Sequence, residues 1–440
     1  MKPDDLRKGR FFVGEYLRID GGRPLFGKVS IPAAKNSVLP ILAASLLCEG
    51  TTELKQIPDL ADVRQSLTIF SSLGGKVEWE NGNLRLTANC MPGTGVLPKK
   101  SVKAMRSSVF YLAPALYRFG KVQTPMPGGC KLGPRPIDIH LEGLSRMGAR
   151  VEWQGEQLVI SAPRGLRGMD YALRLPSVGA TETLLMAAVQ AKGETILRGV
   201  AKEPEIVDLA NYLTRCGAQI EGAGSSVIRV KGQRPLKGCE YAIIPDRITA
   251  ATVAAAVASA GGRLEMENCP ADLMRPVLTV LEQAGCKIQC GENTVLVERS
   301  RPLKGVGRIY TGVYPAFSTD AAPVVAAALL CASGRSAIED TIFENRFACA
   351  DGFSALGANA CRAGRAVEIQ GVWGLSGACV YGTDLRGSAA LVVAALAARG
   401  ESKVYGVEHI RRGYGNLAKT LQNLGARIEL CMDEETKNEG

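Results

Sequence analysis

Histidine is scarce in this chain of 440 residues, in which only His140 and His409 occur. The 13 cysteines include no Cys-x-x-Cys pair, and protein zinc sites are commonly built from such pairs together with histidine. No apolar run approaches the roughly 18 uninterrupted residues that a membrane-spanning helix requires. The sequence therefore argues against a zinc site and against a membrane span.

Aromatic residues are also few, at 5% of the chain, and no basic run exceeds two or three residues although the formal net charge is +10. This charge leaves two candidate partners, a nucleic acid and a small polyanion, and the lack of a dense basic patch weakens the first. The first residues are polar and lack the apolar segment of a signal peptide. Because the cysteines also fit a reducing compartment, we expect a cytoplasmic protein.

A short phrase built around a glycine recurs six times, at intervals of about 70 residues. An apolar residue precedes the glycine, a small residue follows it, and in most copies a polar and then an apolar residue come next. The copies begin at Leu73, Met147, Cys216, Ala284, Leu356 and Leu424. This period is longer than that of solenoid repeats, so each copy can belong to a folded unit of its own.

Each unit contains the same predicted elements in the same order. A helix rich in Ala, Leu and Val, such as residues 250–260, is apolar on nearly all sides and should be buried. A strand, an amphipathic helix such as residues 205–215, and a hairpin such as residues 76–79 with 83–87 follow. We expect a glycine to end each buried helix, at Gly50, Gly120, Gly193, Gly261, Gly334 and Gly400. The predicted fold class is mixed α/β, with buried helices and outer sheets.

Positive charge stands at the predicted start of four buried helices, at Lys35, Arg106, Arg247 and Arg386. We expect serine and threonine to cap the six starts, at Ser37, Ser107, Ser177, Thr249, Ser318 and Ser388. Capping does not explain the cations, because a helix N-terminus disfavours positive charge. Cations beside free N–H groups bind anions, so the helix starts are predicted to surround an anion-binding cleft.

One loop combines a cysteine with two cations. Residues 127–138 contain three glycines and three prolines, which exclude a helix interior or a central strand. Cys130 lies near Lys131 and Arg135, and fixed cations favour the thiolate, which can serve as an acid, base or nucleophile. The alternative is a surface loop with an incidental cysteine, and local composition does not decide between the two.

Eight motifs along the chain together resemble those of the enolpyruvyl transferase family. The resemblance extends from about Leu17 to Leu430. Its motifs are Ala34-Lys35-Asn36-Ser37, Met105-Arg106-Ser107-Ser108, Pro127-Gly128-Gly129-Cys130 with Arg135-Pro136-Ile137-Asp138, Ser177-Val178-Gly179-Ala180-Thr181, Thr319-Asp320, Ile342-Phe343-Glu344-Asn345-Arg346-Phe347, Asp384-Leu385-Arg386 and Arg412-Gly413-Tyr414.

The resemblance implies a particular α/β fold, the two-domain inside-out α/β barrel of the enolpyruvyl transferases. Six repeats would be arranged three per domain, with the active site between the domains. One domain would comprise residues 35–244 and carry the Cys130 loop. The other would combine residues 1–34 with 245–440, and residues 431–440 are expected to form a disordered tail.

The activity implied by the resemblance is transfer of the enolpyruvyl group of phosphoenolpyruvate to the 3′-hydroxyl of UDP-N-acetylglucosamine, with release of phosphate. The family reaction is an addition–elimination through a tetrahedral ketal. It implies no metal, no cofactor, no nucleic acid, no membrane and no obligate protein partner.

The family motifs also imply roles for individual residues. Cys130 would be the general acid and the site of a covalent phosphoenolpyruvate adduct, Asp320 the general base, and Lys35 a further catalytic residue. The phosphoenolpyruvate ligands would be Lys35, Asn36, Arg135, Arg346, Arg386 and Arg412. Contacts to UDP-N-acetylglucosamine would come from Arg106, Arg135, Pro136, Ile137, Asp138, Ile139, Ser177, Val178, Gly179, Asp320 and Ile342.

The sequence leaves three alternative functions open. A relative that acts on 3-phosphoshikimate lacks the cysteine loop, so Cys130 and Arg135 argue against it. Leu175 stands where many family members carry a lysine, which would motivate a UDP-sugar-binding paralogue without catalysis. An RNA-end-processing enzyme of similar repeat architecture is favoured only by the charge.

Overall fold

The computed structural model describes residues 14–88, 94–128 and 136–433. Cys130 and Arg135, two of the predicted site residues, lie outside these ranges. Helices and strands alternate along the described residues, so the mixed α/β class is confirmed.

The strands are numbered in chain order. They are β1 (Glu15–Asp20), β2 (Leu25–Ser30), β3 (Thr51–Leu54), β4 (Lys76–Glu80), β5 (Asn83–Thr87), β6 (Lys121–Pro125), β7 (Arg150–Gln154), β8 (Gln157–Ser161), β9 (Asp170–Ala172), β10 (Glu194–Arg198), β11 (Gln219–Glu221), β12 (Val227–Lys231), β13 (Glu240–Tyr241), β14 (Gly262–Glu267), β15 (Lys287–Cys290), β16 (Thr294–Arg299), β17 (Gly307–Tyr310), β18 (Arg335–Glu339), β19 (Asn359–Ala363), β20 (Ala366–Gln370), β21 (Leu375–Ser376), β22 (Cys379–Tyr381), β23 (Ala398–Arg399), β24 (Glu401–Tyr405) and β25 (Arg427–Met432).

The helices are numbered in the same way. They are α1 (Lys35–Ala44), α2 (Ala61–Ser72), α3 (Lys99–Ala104), α4 (Leu112–Phe119), α5 (Asp138–Arg146), α6 (Val178–Ala188), α7 (Pro204–Arg215), α8 (Arg247–Ala260), α9 (Ala271–Ala284), α10 (Ala322–Leu329), α11 (Ala350–Ala355), α12 (Leu385–Ala397), α13 (Val407–Ile410) and α14 (Leu417–Asn423). Two 3-10 helices, Ser45–Leu47 and Arg106–Tyr111, adjoin α1 and α4.

Small sheets of mixed direction surround the helices. Five of those formed by the described residues have four strands, in the orders β22-β24-β1-β25, β11-β12-β10-β9, β13-β3-β5-β4, β15-β16-β14-β2 and β17-β18-β20-β19. Strands β6, β8 and β7 form a three-stranded sheet, and β21 pairs with β23. The predicted hairpin is confirmed as β4 and β5, and Asn81 and Gly82 turn it with φ values of 49° and 79°.

The first two strands pair with partners far along the chain. Strand β1 lies between β24 and β25 in antiparallel pairing, with Tyr16 opposite Tyr405 and Cys431. Strand β2 runs parallel to β14, with Leu25 opposite Gly262. Strands β1 and β2 therefore belong to sheets whose other strands lie between residues 262 and 432.

The buried helices organise two hydrophobic cores. One core extends from Ala33 to Ile243 and includes α1, α4 and α6. The other joins residues from Leu17 to Ile31 with residues from Ala250 to Ile428. In this second core α8, α10 and α12 pack against one another, and their many alanines allow the helix axes to approach closely. The predicted burial of these helices is confirmed.

The helix ends differ from the sequence prediction. Gly120 and Gly261 directly follow α4 and α8, as predicted. The helices α1, α6, α10 and α12 end earlier, so Gly50, Gly193, Gly334 and Gly400 do not cap them. These four glycines instead have positive φ in the turns that lead into the next strands.

Most predicted N-caps are also wrong. Only Ser177 accepts a cap hydrogen bond among the six, from the amide of Ala180 at 3.3 Å. Asp246 caps α8 and Asp384 caps α12, each one residue before the helix. A carboxylate suits this position because it accepts backbone N–H groups and interacts favourably with the helix dipole.

The first residues of the expected tail are ordered. Cys431 and Met432 belong to β25, and the amide of Asp433 donates to the carbonyl of Gly14 at 3.1 Å. The prediction of disorder is therefore wrong for residues 431–433, and residues 434–440 lie outside the described ranges. Within the described ranges, none of the helices has the length and apolar character needed to cross a membrane.

Candidate active site

A buried carboxylate joins two cations from opposite ends of the chain. Asp62, in the first turn of α2, is 4% exposed. Lys35 Nζ lies 2.8 Å from its Oδ2, and Arg412 Nε donates to its Oδ1 at 3.0 Å. Lys35 is the first residue of α1, and Arg412 follows α13. The three side chains form the first ion cluster, which links the two cores.

Asp320 forms a second ion cluster with two arginines. Arg346 donates to its Oδ1 at 3.2 Å, and Arg386 donates to its Oδ2 at 3.2 Å. Both arginines are buried, with residue exposures of 1% and 6%, whereas the Asp320 side chain remains 27% exposed. Asp320 is therefore partly accessible to solvent, while the two buried arginines neutralise its negative charge.

Asp340 contacts several residues around this second cluster. Its buried Oδ1 accepts the amides of Ile342 and Phe343 at 2.8 and 2.7 Å, which fixes the turn after β18. Its other oxygen accepts from the hydroxyl of Thr319 and lies 3.6 Å from Arg346 Nε. In this turn the ring of Phe343 lies 4.7 Å from the guanidinium carbon of Arg346, and the neighbouring Ile342 is exposed.

The two clusters influence each other electrostatically. Burial, together with the charges of Arg386 and Arg412, lowers the pKa of Lys35, while Asp62 opposes this shift. Burial alone would raise the pKa of Asp320, but Arg386 and Arg346 outweigh it and hold that pKa well below its usual range. Because Arg386 acts on both Lys35 and Asp320, the clusters are neighbours in one strongly charged site.

The residues predicted to bind the nucleotide sugar lie around α5 and α6. Asp138 begins α5 and pairs with Arg174, and Ile137 and Ile139 on either side of it are buried. A Cβ at Gly179 would lie 3.1 Å from His140 Nε2, so glycine permits the close approach of α6 to α5. Burial and the charge of Arg106 lower the pKa of His140 to about 4, so the ring is neutral near pH 7.

The remaining predicted residues take several positions. Asn36 is half-buried on α1, Pro136 is exposed before α5, and Ser177 and Val178 are half-buried at the start of α6. Leu175 is 50% exposed. The predicted residues Cys130 and Arg135 lie outside the described ranges.

Sequence reasoning missed the carboxylates that balance the cations. Asp62 and Asp340 were not predicted, and neither was Glu205, which holds Arg247 through contacts of 2.8 and 3.1 Å. Asp62 and Glu205 each lie in the first turn of a helix, where an acidic residue is favoured in any case, so their position in sequence does not single them out as counter-charges. No group of three or more metal-ligating side chains is found among the described residues.

This arrangement of four cations around two carboxylates, on a mixed α/β scaffold, suits the binding of small, highly charged anions. The fold is that of the enolpyruvyl transferases. It resembles the crystal structure of the enolpyruvyl transferase NikO from Streptomyces tendae with a TM-score of 0.86 and 23% identity, covering 96% of this chain and 100% of that one. It resembles an EPSP synthase from Acinetobacter baumannii with a TM-score of 0.76 and 19% identity, covering 95% and 100%.

The family described as EPSP synthase (3-phosphoshikimate 1-carboxyvinyltransferase) matches residues 19–421, and the chain belongs to this family. Two relatives carry the name UDP-N-acetylglucosamine 1-carboxyvinyltransferase. The protein from Coprothermobacter proteolyticus is 41% identical over 96% of this chain and 99% of its own length. The protein from Nitratidesulfovibrio vulgaris is 42% identical over 94% and 98%.

The lowered pKa of Asp320 predicts a pH-dependent contribution to stability. A carboxylate with a lowered folded-state pKa stabilises the protein above its unfolded pKa of about 3.9, and this contribution is lost as the pH falls toward the folded value. We expect Asp320→Asn to lower the free energy of unfolding by roughly 2–4 kcal/mol at pH 7, because it leaves two buried arginines less well paired. Urea titrations should show that this difference shrinks below about pH 4.

Asp272→Asn provides the matched control for that measurement. The Asp272 side chain is 93% exposed and pairs with Arg275 three residues away. Exposed ion pairs contribute little to stability, so the free energy of unfolding of this variant should equal that of the wild type throughout the pH range. A difference between Asp320→Asn and the wild type that stays constant down to pH 3 would contradict a lowered pKa for Asp320.

Proposed function

We propose that this protein is a UDP-N-acetylglucosamine 1-carboxyvinyltransferase. It transfers the enolpyruvyl group of phosphoenolpyruvate to the 3′-hydroxyl of UDP-N-acetylglucosamine and releases phosphate. The product is a precursor for peptidoglycan synthesis, and we place the reaction in the cytoplasm. The observation that carries the proposal is the identity of about 41% to relatives of that name over nearly the whole chain.

The ion clusters suit the charges of these substrates. Phosphoenolpyruvate carries a phosphate and a carboxylate, and cations in fixed positions bind both groups. We assign Lys35, Arg412, Arg386 and Arg346 to this substrate, with the half-buried Asn36 and the sequence-assigned Arg135 beside them. Lys35 comes from the first core and Arg412 from the second, so a bound anion would touch both.

We assign the general base to Asp320. Its carboxylate is charged at neutral pH and partly exposed, so it can accept the proton of the 3′-hydroxyl. Two arginines make it a weak base at rest. When the substrate carboxylate takes up part of their charge, the basicity of Asp320 rises at the moment that the hydroxyl must be deprotonated.

The addition step then follows from this assignment. The deprotonated sugar oxygen bonds to carbon 2 of phosphoenolpyruvate, and the methylene carbon takes a proton, which yields a tetrahedral ketal. We assign that proton to Cys130 on the basis of the sequence motif, and we assign the same thiol as the site of a covalent adduct. In the elimination step the methyl group returns a proton to the thiolate that we assign to Cys130, the carbon–oxygen bond to phosphate breaks, and the enol ether forms as phosphate leaves.

The nucleotide sugar is assigned to the start of α6 and the neighbouring start of α5. The amide of Ser177 donates to the carbonyl of Leu175 at 2.9 Å, so we assign the diphosphate to the amides of Val178 and Gly179 at the start of α6, where the helix N-terminus favours negative charge. We assign Arg106 to the same diphosphate, and Pro136, Ile137, Asp138 and Ile139 to the uridine. The exposed Ile342, at the turn that Asp340 fixes, is assigned to the sugar together with Asp320.

We further propose the domain arrangement that the family resemblance implies. Residues 35–244 would form one domain, and residues 1–34 with 245–440 would form the other, each an inside-out α/β unit of three repeats. The division of the hydrophobic residues into two cores supports this proposal. The pairing of β1 and β2 with strands of the C-terminal part supports the crossover of the N-terminal segment.

The primary experiment is a phosphate-release assay with purified protein and no added metal. We expect release only when both phosphoenolpyruvate and UDP-N-acetylglucosamine are present, because the ketal needs both substrates. Release that depends on 3-phosphoshikimate instead would identify the other branch of the family. Tight binding of UDP-N-acetylglucosamine without any release would identify a paralogue that has lost catalysis.

A second experiment tests the role of Asp320. The variant Asp320→Asn should reduce kcat by about a hundred- to ten-thousandfold, because an amide cannot accept the hydroxyl proton. The dissociation constant for UDP-N-acetylglucosamine should change by less than about threefold, since the uridine and diphosphate contacts remain. Calorimetric titration gives the binding constant, and a kcat near that of the wild type would remove Asp320 as the base.

A further inference from the structure

Asp62 is an ionised residue that the assigned reaction steps do not use. Its side chain is 6% exposed and belongs to the first turn of α2, where the helix dipole already favours a negative charge. Neither of its oxygens caps that helix, because both are turned to cations. Burial alone would raise the pKa of Asp62, but the charges and hydrogen bonds of Lys35 and Arg412 outweigh this effect and lower it. The carboxylate is therefore charged at neutral pH.

The contacts of Asp62 join residues that are 350 positions apart in sequence. The backbone reinforces this junction, since the amide of Ala61 donates to the carbonyl of Arg411 at 3.0 Å. The side chain of Arg411 forms an ion pair with Glu15, whereas that of Arg412 forms the ion pair with Asp62. The start of α2 in one core is therefore docked on the segment after α13 in the other.

A role in stability alone explains this arrangement poorly. A buried ion pair contributes little net stability, because the cost of removing both charges from water offsets their attraction. Lys35 also lies within reach of the charges of Arg386 and Arg412, which repel it. A carboxylate that binds Lys35 and Arg412 simultaneously favours the charged form of the lysine and sets the distance between the two cations.

We propose that Asp62 is a positioning residue for phosphoenolpyruvate, which aligns Lys35 and Arg412 across the two cores so that they bind one anionic group together. This inference rests on the proposed function, because it concerns how that substrate is held. Asp62 itself need not touch the substrate. Its two carboxylate oxygens fix the lysine ammonium and the arginine guanidinium, and the remaining N–H groups of both stay available to the anion.

Removal of the Asp62 charge has a specific consequence for Lys35. The groups that act on its ammonium are Asp62, which stabilises the charged form, and Arg386 and Arg412, which oppose it. Without the carboxylate, burial and the two arginines lower the pKa of Lys35 further. The lysine then loses its proton at a lower pH, and binding of the anionic substrate weakens as the pH rises.

The test compares Asp62→Asn with the wild type in the phosphate-release assay. We expect the KM for phosphoenolpyruvate to rise by about thirtyfold or more, as when one partner of a buried charged pair is removed. The KM for UDP-N-acetylglucosamine should change by less than about threefold. The KM for phosphoenolpyruvate should also begin its alkaline rise at a lower pH in the variant, which a purely structural role would not produce.

Arg411→Ala is the matched control. It removes a neighbouring cation whose side chain pairs with Glu15, and it keeps the backbone carbonyl that receives the amide of Ala61. This variant should retain the wild-type KM for both substrates. An equal rise in the KM for phosphoenolpyruvate in Arg411→Ala and in Asp62→Asn would overturn the proposal.

Asp62→Glu keeps the inference testable if the asparagine variant does not fold. The longer side chain retains the charge but displaces the carboxylate. We therefore expect its KM for phosphoenolpyruvate to lie between the wild-type value and the roughly thirtyfold higher value expected for Asp62→Asn. Its pH profile should match the wild type. A folded Asp62→Glu or Asp62→Asn protein with wild-type KM values would overturn the inference, whereas an inactive wild type would instead contradict the proposed function.

Discussion

The neutralisation of buried cations by two carboxylates is the interaction on which this site depends. Asp62 holds Lys35 and Arg412, and Asp320 holds Arg346 and Arg386. Without these carboxylates, several positive charges would lie close together away from water, at a large cost in free energy. The pairing lets the site stay folded when empty and still offer N–H groups to an incoming anion. The same carboxylates thereby connect the stability of the cleft to its chemistry.

The scaffold places these charges through the starts of its buried helices. Alanine, valine and leucine make up most of α8, α10 and α12, and the helices pack against one another within their core. Arg247 begins α8 and Arg386 is the second residue of α12, so their charges lie at helix N-termini, which aspartate caps partly offset. The β-pairing of the N-terminal segment with distant strands completes the second core around them.

Local patterns predicted much of this arrangement, and the failures have two physical causes, one of them distant in sequence and the other local. Apolar composition predicted the buried helices, the pattern of residues 76–79 and 83–87 predicted a hairpin, and eight motifs spread along the chain predicted the family. The counter-charges of those cations were missed, because Arg412 and Asp62 lie 350 residues apart and no short pattern connects them. The caps of α8 and α12 were misassigned to Thr249 and Ser388, because the aspartate directly before each of these two helices, Asp246 or Asp384, accepts the capping amides. The roles of Cys130 and Arg135 remain predictions from the sequence motif.

The central claim is that one substrate anion is bound jointly by residues of both cores, aligned by Asp62. A crystal structure of the wild-type protein with phosphoenolpyruvate and a UDP-sugar that lacks the 3′-hydroxyl tests it most directly, because the reaction cannot proceed. The account predicts an anionic group of phosphoenolpyruvate within about 3.2 Å of both Lys35 Nζ and the Arg412 guanidinium, with Asp62 still bound to both cations. An anion held by one core alone, or Asp62 turned away from both cations, would contradict the account.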